Sequence, residues 1–451
     1  MSDTKLKKST LLAYSLPAIP NSALGLPIAV YLPPFYAQTV GLQLAVVGLV
    51  FMFMRFWDIF TDPVMGILSD RFNTRWGRRK PWIVAAVPIM MFSVWRLFFP
   101  PEGAGGAHLA TWLFFMYLGY TMLSIAHMSW GTELADEYHQ RSRIHGWREF
   151  AQVGGMLFVL ILPAIIQIAG LGGLEEGVHA MGLFIIITLP IGVFFAATFV
   201  PDDPHHKPEP VDWAHSFKVI VKNKTLLRIL LGDVLAGFAP SVTGALYFFY
   251  IVSVGDLPQQ SQSLLFLYFA TGLAGISLWM RLSYTVGKHK AMSYGMLWGG
   301  LSLPLFFLIP AGSLWWMAFG LAVYGLAYGA GPFLLRAIMS DVTDQDTLET
   351  GQKRTGLYFS ILMISSKMAG ALSVGVTYVL LDYIGFDKGR GAVNTPEAIN
   401  GLEWMFIAFP TGAMLLAAAV MWNFPLDQTN QKAMRTKIKD NVAASTRTPG
   451  Q

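Results

Sequence analysis

Apolar runs long enough to cross a lipid bilayer recur from one end of this chain to the other, and that repetition restricts its folds more than any single motif. A helix spanning hydrocarbon needs about 20 mostly apolar residues. Such runs lie near 11–37, 43–69, 82–100, 109–131, 148–170 and 178–200, and again near 226–252, 262–286, 291–310, 313–336, 356–384 and 401–424. Of the 451 residues 54% are hydrophobic and only 13% charged, whereas a soluble domain carries roughly 25% charged residues. That is too little polar surface to cover a water-soluble particle of this size. Lipid offers the backbone no hydrogen bonds, so each run must be a helix, and membrane helices tolerate the many glycines and prolines found here. The expected fold is an all-α membrane protein with twelve transmembrane helices.

The loops sort by charge. Lys5, Lys7 and Lys8, then Arg71, Arg75, Arg78, Arg79 and Lys80, then Arg141 and Arg143 fall in one alternate set. That set continues through Lys218, Lys222, Lys224 and Arg228, then Lys288 and Lys290, then Lys353 and Arg354, and ends in the C-terminal tail. The opposite loops lack Lys and Arg until the last, which holds Lys388 and Arg390. The positive-inside rule therefore places both termini in the cytoplasm, with the chain a multi-pass protein of the cell inner membrane. Because the net charge of +5 is spread over these loops, it reads as a topology signal and not as a nucleic-acid patch. With no cysteine, disulfides and thiolate metal sites are excluded. The polar, basic N-terminus leads into a run too long for a signal-peptide core, so it is expected to be retained.

A polar stretch, PDDPHHKPEPVDW, divides the chain. The expected organisation is a six-helix half over 1–200, a cytoplasmic loop over 201–225, a second half over 226–424 and a cytoplasmic tail over 425–451. A weak repeat supports two pseudo-symmetric halves. Glu133-Leu-Ala-Asp136 follows the fourth helix, as Asp341-Val-Thr-Asp344 follows the tenth, and the Gly66 to Lys80 loop has a shorter echo in Arg281 to Lys290. Two parallel halves around a midplane site is the layout of the major-facilitator fold.

The densest chemical signal is Arg55-Phe-Trp-Asp58-Ile-Phe-Thr61-Asp62-Pro63 in the second helix. Asp58 and Asp62 are four residues apart and so share one helix face. Two carboxylates at membrane depth are costly unless paired, and a bound Na⁺ or a shared proton relieves the cost. Thr61 offers a hydroxyl in the same turn, and Pro63 frees the carbonyl of Ile59 from its helical partner. Arg55 is placed to neutralise Asp58, which leaves Asp62 unexplained. In the loop that follows, Asp70 with Arg71 or Arg75 makes a candidate cytoplasmic latch, with Asp341 and Arg354 its counterparts in the second half. Arg96 and Arg336 lie near helix ends, where they can snorkel. Lys367 lies about ten residues inside the eleventh helix with no carboxylate within four positions, so its partner must come from another helix or a substrate. His127 reads as a satisfied hydrogen-bonding group before a proton relay. Trp57, Tyr31 and Tyr120 are candidates to stack on a sugar. No paired-histidine motif, serine–histidine dyad or glycine-rich phosphate loop occurs at membrane depth, which argues against an intramembrane enzyme.

At RFWDIFTDPVMG, SDRFNTRWGRRKPW, ELADEYHQRSRIHGWRE and DVTDQDTLETGQKRTGLYFS the sequence resembles the glycoside-pentoside-hexuronide:cation symporter family, the melibiose-permease branch of the major facilitators. The resemblance runs through nearly the whole chain. It implies a symporter without a cofactor, coupled to Na⁺, Li⁺ or H⁺, that acts in the bilayer on a small-molecule substrate, and we expect it to work as a monomer. It implies a cation site of Asp58, Asp62, Thr61 and Thr121, with the two aspartates ligating Na⁺ if that is the ion. Arg148 and Lys367 match charged residues of the family's central pocket. The two sugar-gripping carboxylates of melibiose permease align instead with Ser22 and Ser124, and the tryptophan after the second aligns with Met128. A pocket that keeps two positive charges and lacks both acids favours an acidic substrate such as a uronide. The same resemblance extends to lysophospholipid carriers, which makes an amphiphilic cargo the alternative.

Overall fold

The computed structural model describes residues 6–71, 74–134, 138–202, 223–350, 355–389 and 392–425. Among these residues, twelve helices are long and apolar enough to span a membrane. They are α1 (Lys8–Gln38), α2 (Leu44–Gly66), α3 (Lys80–Phe98), α4 (Gly106–Gly131), α5 (Arg143–Ile168), α6 (Leu174–Phe199), α7 (Lys224–Ser253), α8 (Pro258–Val286), α9 (Lys288–Leu308), α10 (Leu314–Asp346), α11 (Leu357–Tyr383) and α12 (Pro396–Trp422). The apolar runs locate every span. Several helices outrun them, because helical hydrogen bonding continues where lipid ends: the helix containing α5 is regular from Tyr138 to Ile168. Large apolar side chains stay exposed around the bundle, among them Phe60, Phe150, Phe194 and Trp315, as a surface solvated by lipid requires.

Span α1 is interrupted. Its α-helical segments Ala18–Ala23 and Leu32–Gln38 flank a π-helical stretch at Pro27–Tyr31. Prolines at 17, 20, 27, 33 and 34 remove backbone donors throughout this span, and the wider π turn accommodates the misfit. The stretch has a consequence for the site, because Ile28, Ala29 and Val30 line a cavity of about 230 Å³ between the first six and the last six spans.

The two sets of six spans meet mainly through α2 against α11, α5 against α8 and α1 against α7. They approach closely at the face opposite the termini. A Cβ on Gly48 of α2 would stand 2.7 Å from the Cβ of Tyr378 on α11, so only glycine lets the two backbones come this near. Gln167, near the end of α5, serves as a helix cap in trans. Its Oε1 accepts from the backbone N–H of Gln262 (2.9 Å) and of Ser263 (3.3 Å), and its Nε2 donates to the carbonyl of Pro258 at 3.2 Å. It therefore satisfies donors in the first turn of α8 that the helix cannot bond itself. Lys388, the charge that broke the loop pattern, donates across the same face to the carbonyl of Leu42.

Ion pairs described on the termini face run within one set of spans. Arg79 Nη2 lies 2.7 Å from Glu133 at the end of the α4 helix, Arg78 joins the same carboxylate, and Arg79 Nη1 donates to Ser69 at 2.8 Å. In the last six spans Lys288 Nζ lies 2.7 Å from Asp341. Glu133 and Asp341 are the acids that the sequence repeat places in register, so the same loop-to-helix pair occurs twice. Of the proposed latch, Asp70 and Arg71 close the α2 helix and Arg75 is exposed. The side chains of Asp70 and Arg71, and all of Arg354, lie outside the described residues.

Replacing Gln167 with Leu removes the cap of α8, a loss of about 1 kcal/mol or roughly fivefold in the closed-to-open ratio. The native chain has no cysteine, so a Ser373→Cys reporter in the cavity gives a clean signal. Impermeant maleimide added at the face opposite the termini is expected to label it faster in the Gln167→Leu background.

Candidate functional site

Asp58 and Asp62 project from adjacent turns of α2 toward α4 and α11. Thr121 of α4 places its Oγ1 2.9 Å from Asp58 Oδ1 and 3.0 Å from Asp62 Oδ1. A hydroxyl has one proton, so it donates to one carboxylate at a time while its lone pairs face the other. Lys367 of α11 supplies the compensating charge. Its ammonium donates to Asp62 Oδ2 at 2.5 Å and stands 2.7 Å from Asp58 Oδ2 as an ion contact. Asp58 is fully buried, and the Asp62 side chain keeps 21% of its exposure. Arg55 is a distant partner, with Nη1 3.8 Å from Asp58 Oδ2. The result is a nest of carboxylate and hydroxyl oxygens with one ammonium inside it, a donor set suited to a small hard cation or a proton.

The structure therefore brings Asp58, Asp62 and Thr121 together as the resemblance implied, and adds Lys367 as their counter-ion. Spacing along one helix could not reveal that pairing, because the partners are about 300 residues apart in sequence. Thr61 is placed differently: its hydroxyl donates to the backbone carbonyl of Asp58 at 3.1 Å, not to a carboxylate. This is the back-bonding a threonine makes on its own helix when no other acceptor lies within reach.

The residues aligned with the sugar pocket sit further toward the termini face. Ser22 Oγ is 2.7 Å from the carbonyl of Gln152, which ties α1 to α5, and Ser124 Oγ donates to Asn21 Oδ1 at 3.2 Å. Met128 is 49% exposed. Arg148 is half-buried, one turn before Gln152, and its Nε has no hydrogen-bond partner among the described residues. None of these four borders the 230 Å³ cavity, and nor does Lys367. The positive group that does border it is Arg55, together with Tyr117, Tyr120, Ser241, Tyr328 and Ser366. Among the aromatic candidates, Tyr120 lines the cavity, Tyr31 is buried against Phe248, and Trp57 packs on Phe114 at the exposed side of α2. His127 is a structural tie: its Nε2 donates to the carbonyl of Tyr14 at 2.6 Å, while Tyr14 Oη donates back to the carbonyl of His127 at 2.9 Å.

Helices in this order, around a charged midplane site, define a major-facilitator transporter and not an enzyme. The family model described as MFS/sugar transport protein matches residues 13–428, and the chain belongs to that family. A glucuronide carrier protein homolog of Escherichia coli is 24% identical over 444 residues, covering 96% of each chain. A putative glycoside/cation symporter, YagG of Escherichia coli, is 24% identical over 83% of each. The fold is that of the nucleoside transporter NupG, whose crystal structure superposes with a TM-score of 0.66 at 14% identity and covers 93% of this chain and all of the other.

Removing the Thr121 hydroxyl deletes a hydrogen bond to a charged group, worth about 1.5–3 kcal/mol. Thr121→Val is therefore expected to raise the cation concentration that half-stimulates transport by roughly tenfold or more. Thr121→Ser, which keeps the oxygen, should stay close to native in the same titration.

Proposed function

We propose that the protein is a secondary active symporter that imports a sugar, glycoside or uronide together with Na⁺, Li⁺ or H⁺ by alternating access. The observation that carries this reading is the oxygen nest of Asp58, Asp62 and Thr121, closed by an ammonium from the other set of six spans. A monovalent cation entering the nest competes with Lys367 for the same two carboxylates. Once neutralised by the cation, α2 no longer needs the ammonium of α11, and the electrostatic link between the two sets of helices weakens. Ion binding is thereby coupled to the interface that must change for access to alternate.

No step requires a cofactor. The two six-helix halves, 1–200 and 226–424, act as the moving bodies around the site. Positive loop charge places both termini in the cytoplasm and the protein in the cell inner membrane, and the site is complete within one chain, in keeping with a monomer. Asp341, paired with Lys288, and the basic loop after α2, with Asp70, Arg71 and Arg75, form the cytoplasmic gating layer. Ser22, Ser124, Met128 and Arg148 shape the wall between the cavity and that layer.

The similarity to a glucuronide carrier homolog supports a uronide as cargo, but the charge argument changes. Lys367 is engaged by two acids, so the positive groups left to meet a substrate carboxylate are Arg55, which borders the cavity, and Arg148. A cavity of about 230 Å³ suits a compact cargo better than a lysophospholipid.

Uptake of glycosides into vesicles should rise with Na⁺, Li⁺ or acid outside, and Asp62→Asn should abolish that stimulation while substrate exchange without a gradient persists. Uptake indifferent to all three ions, and unchanged in Asp62→Asn, would overturn coupling at this site.

A further inference from the structure

We propose that Arg55 is the residue that grips the carboxylate of an acidic substrate; this rests on the symporter reading above and adds a specificity-determining residue to it. Arg55 lies one turn before Asp58 on α2, and by sequence alone its evident use is to neutralise that aspartate. The geometry points elsewhere. Asp58 Oδ2 already has the Lys367 ammonium at 2.7 Å, and Oδ1 has the Thr121 hydroxyl at 2.9 Å. The guanidinium of Arg55 stands off at 3.8 Å, beyond hydrogen-bonding distance. It lies over the ring of Tyr117, 5.4 Å from the centroid, a cation–π contact that holds the guanidinium beside the cavity.

The Arg55 side chain keeps 33% of its exposure in a lipid-embedded bundle, and it borders the 230 Å³ cavity beside Tyr117, Tyr120 and Ser366. A planar fork of N–H donors bordering this partly open cavity matches a carboxylate bidentately, and the tyrosines and serines in its wall suit a sugar ring.

Charge balance points the same way. Asp58, Asp62, Lys367 and Arg55 sum to zero as they stand. A monovalent cation entering the nest leaves the cluster with an excess positive charge at membrane depth, where such a charge is costly. A substrate carboxylate on Arg55 restores neutrality, so cation and acidic substrate favour each other's binding through the same helix turn. A neutral glycoside offers no such compensation.

The test compares methyl β-glucuronide with methyl β-glucoside, which differ only in having a carboxylate or a hydroxymethyl group, in counterflow with the full chain in proteoliposomes. Arg55→Gln should raise the half-saturating glucuronide concentration by about tenfold or more, the loss of a charged bidentate contact, and change the glucoside value by much less. Arg55→Lys keeps the charge without the fork, and should lose glucuronide affinity selectively but by less. The lysine variant also decides the matter if the glutamine variant does not fold. An unchanged glucuronide-to-glucoside ratio in both variants would overturn the assignment while leaving the symporter reading standing. Equal losses for both sugars would overturn the assignment and return Arg55 to the role of neutralising Asp58. A native protein that exchanges neither sugar with any cation would overturn the symporter reading and the assignment together.

Discussion

One ammonium ion bridges the molecule. Lys367 leaves α11 and ends between two carboxylates of α2, where burial makes the charges expensive and each other's company necessary. Breaking such a pair by removing one partner costs about 3–5 kcal/mol, because the remaining charge is stranded. Neither α2 nor α11 is thus independent of the other at this depth. The exposed flank of α2 can be greasy, with Phe53 and Phe60 facing outward, because the polar work of that helix is confined to the side that meets Lys367 and Thr121.

A bridge of this kind is useful only if it can be broken. Its chemistry is well suited to exchange, since an ammonium and a small cation compete for the same oxygens. The packing around it is arranged accordingly. Toward the face opposite the termini, α2 and α11 meet backbone to backbone at Gly48, and Gln167 of α5 caps α8. Toward the termini, described ion pairs such as Arg79–Glu133 and Lys288–Asp341 brace each set of spans internally. The internal braces tie each set together, and the sets meet through the α2–α11 packing and a small number of polar contacts. Rigid bodies joined by a breakable interface are what rocking about a central site requires.

The cation nest and the enclosed cavity share one turn of α2. Asp58 points into the first and Arg55 borders the second, so one turn of α2 carries both the proposed cation site and part of the cavity wall. Close placement makes the charge state of one site part of the binding energy of the other, without a chain of intermediaries. The interrupted α1 contributes to the same space: Ile28, Ala29 and Val30 of its π turn line the cavity.

Twelve spans, their all-helical character and the acidic pair of α2 were legible in the sequence, because each follows from local composition or from spacing along a single helix. The Glu133 and Asp341 register was legible too, as a repeat. Lys367 could be recognised as needing a partner, but not as having found one in Asp58 and Asp62, and Thr61 looked as good an oxygen donor as Thr121. Arg55 was read as the neighbour of Asp58 because nothing in a linear pattern tells which of two cations is nearer. Those choices depend on how α2, α4 and α11 pack, and packing joins residues hundreds of positions apart. The sequence by itself determined the solvent of this protein and the residue types it carries at membrane depth; only the tertiary structure decided which charges pair, because pairing depends on how distant helices pack.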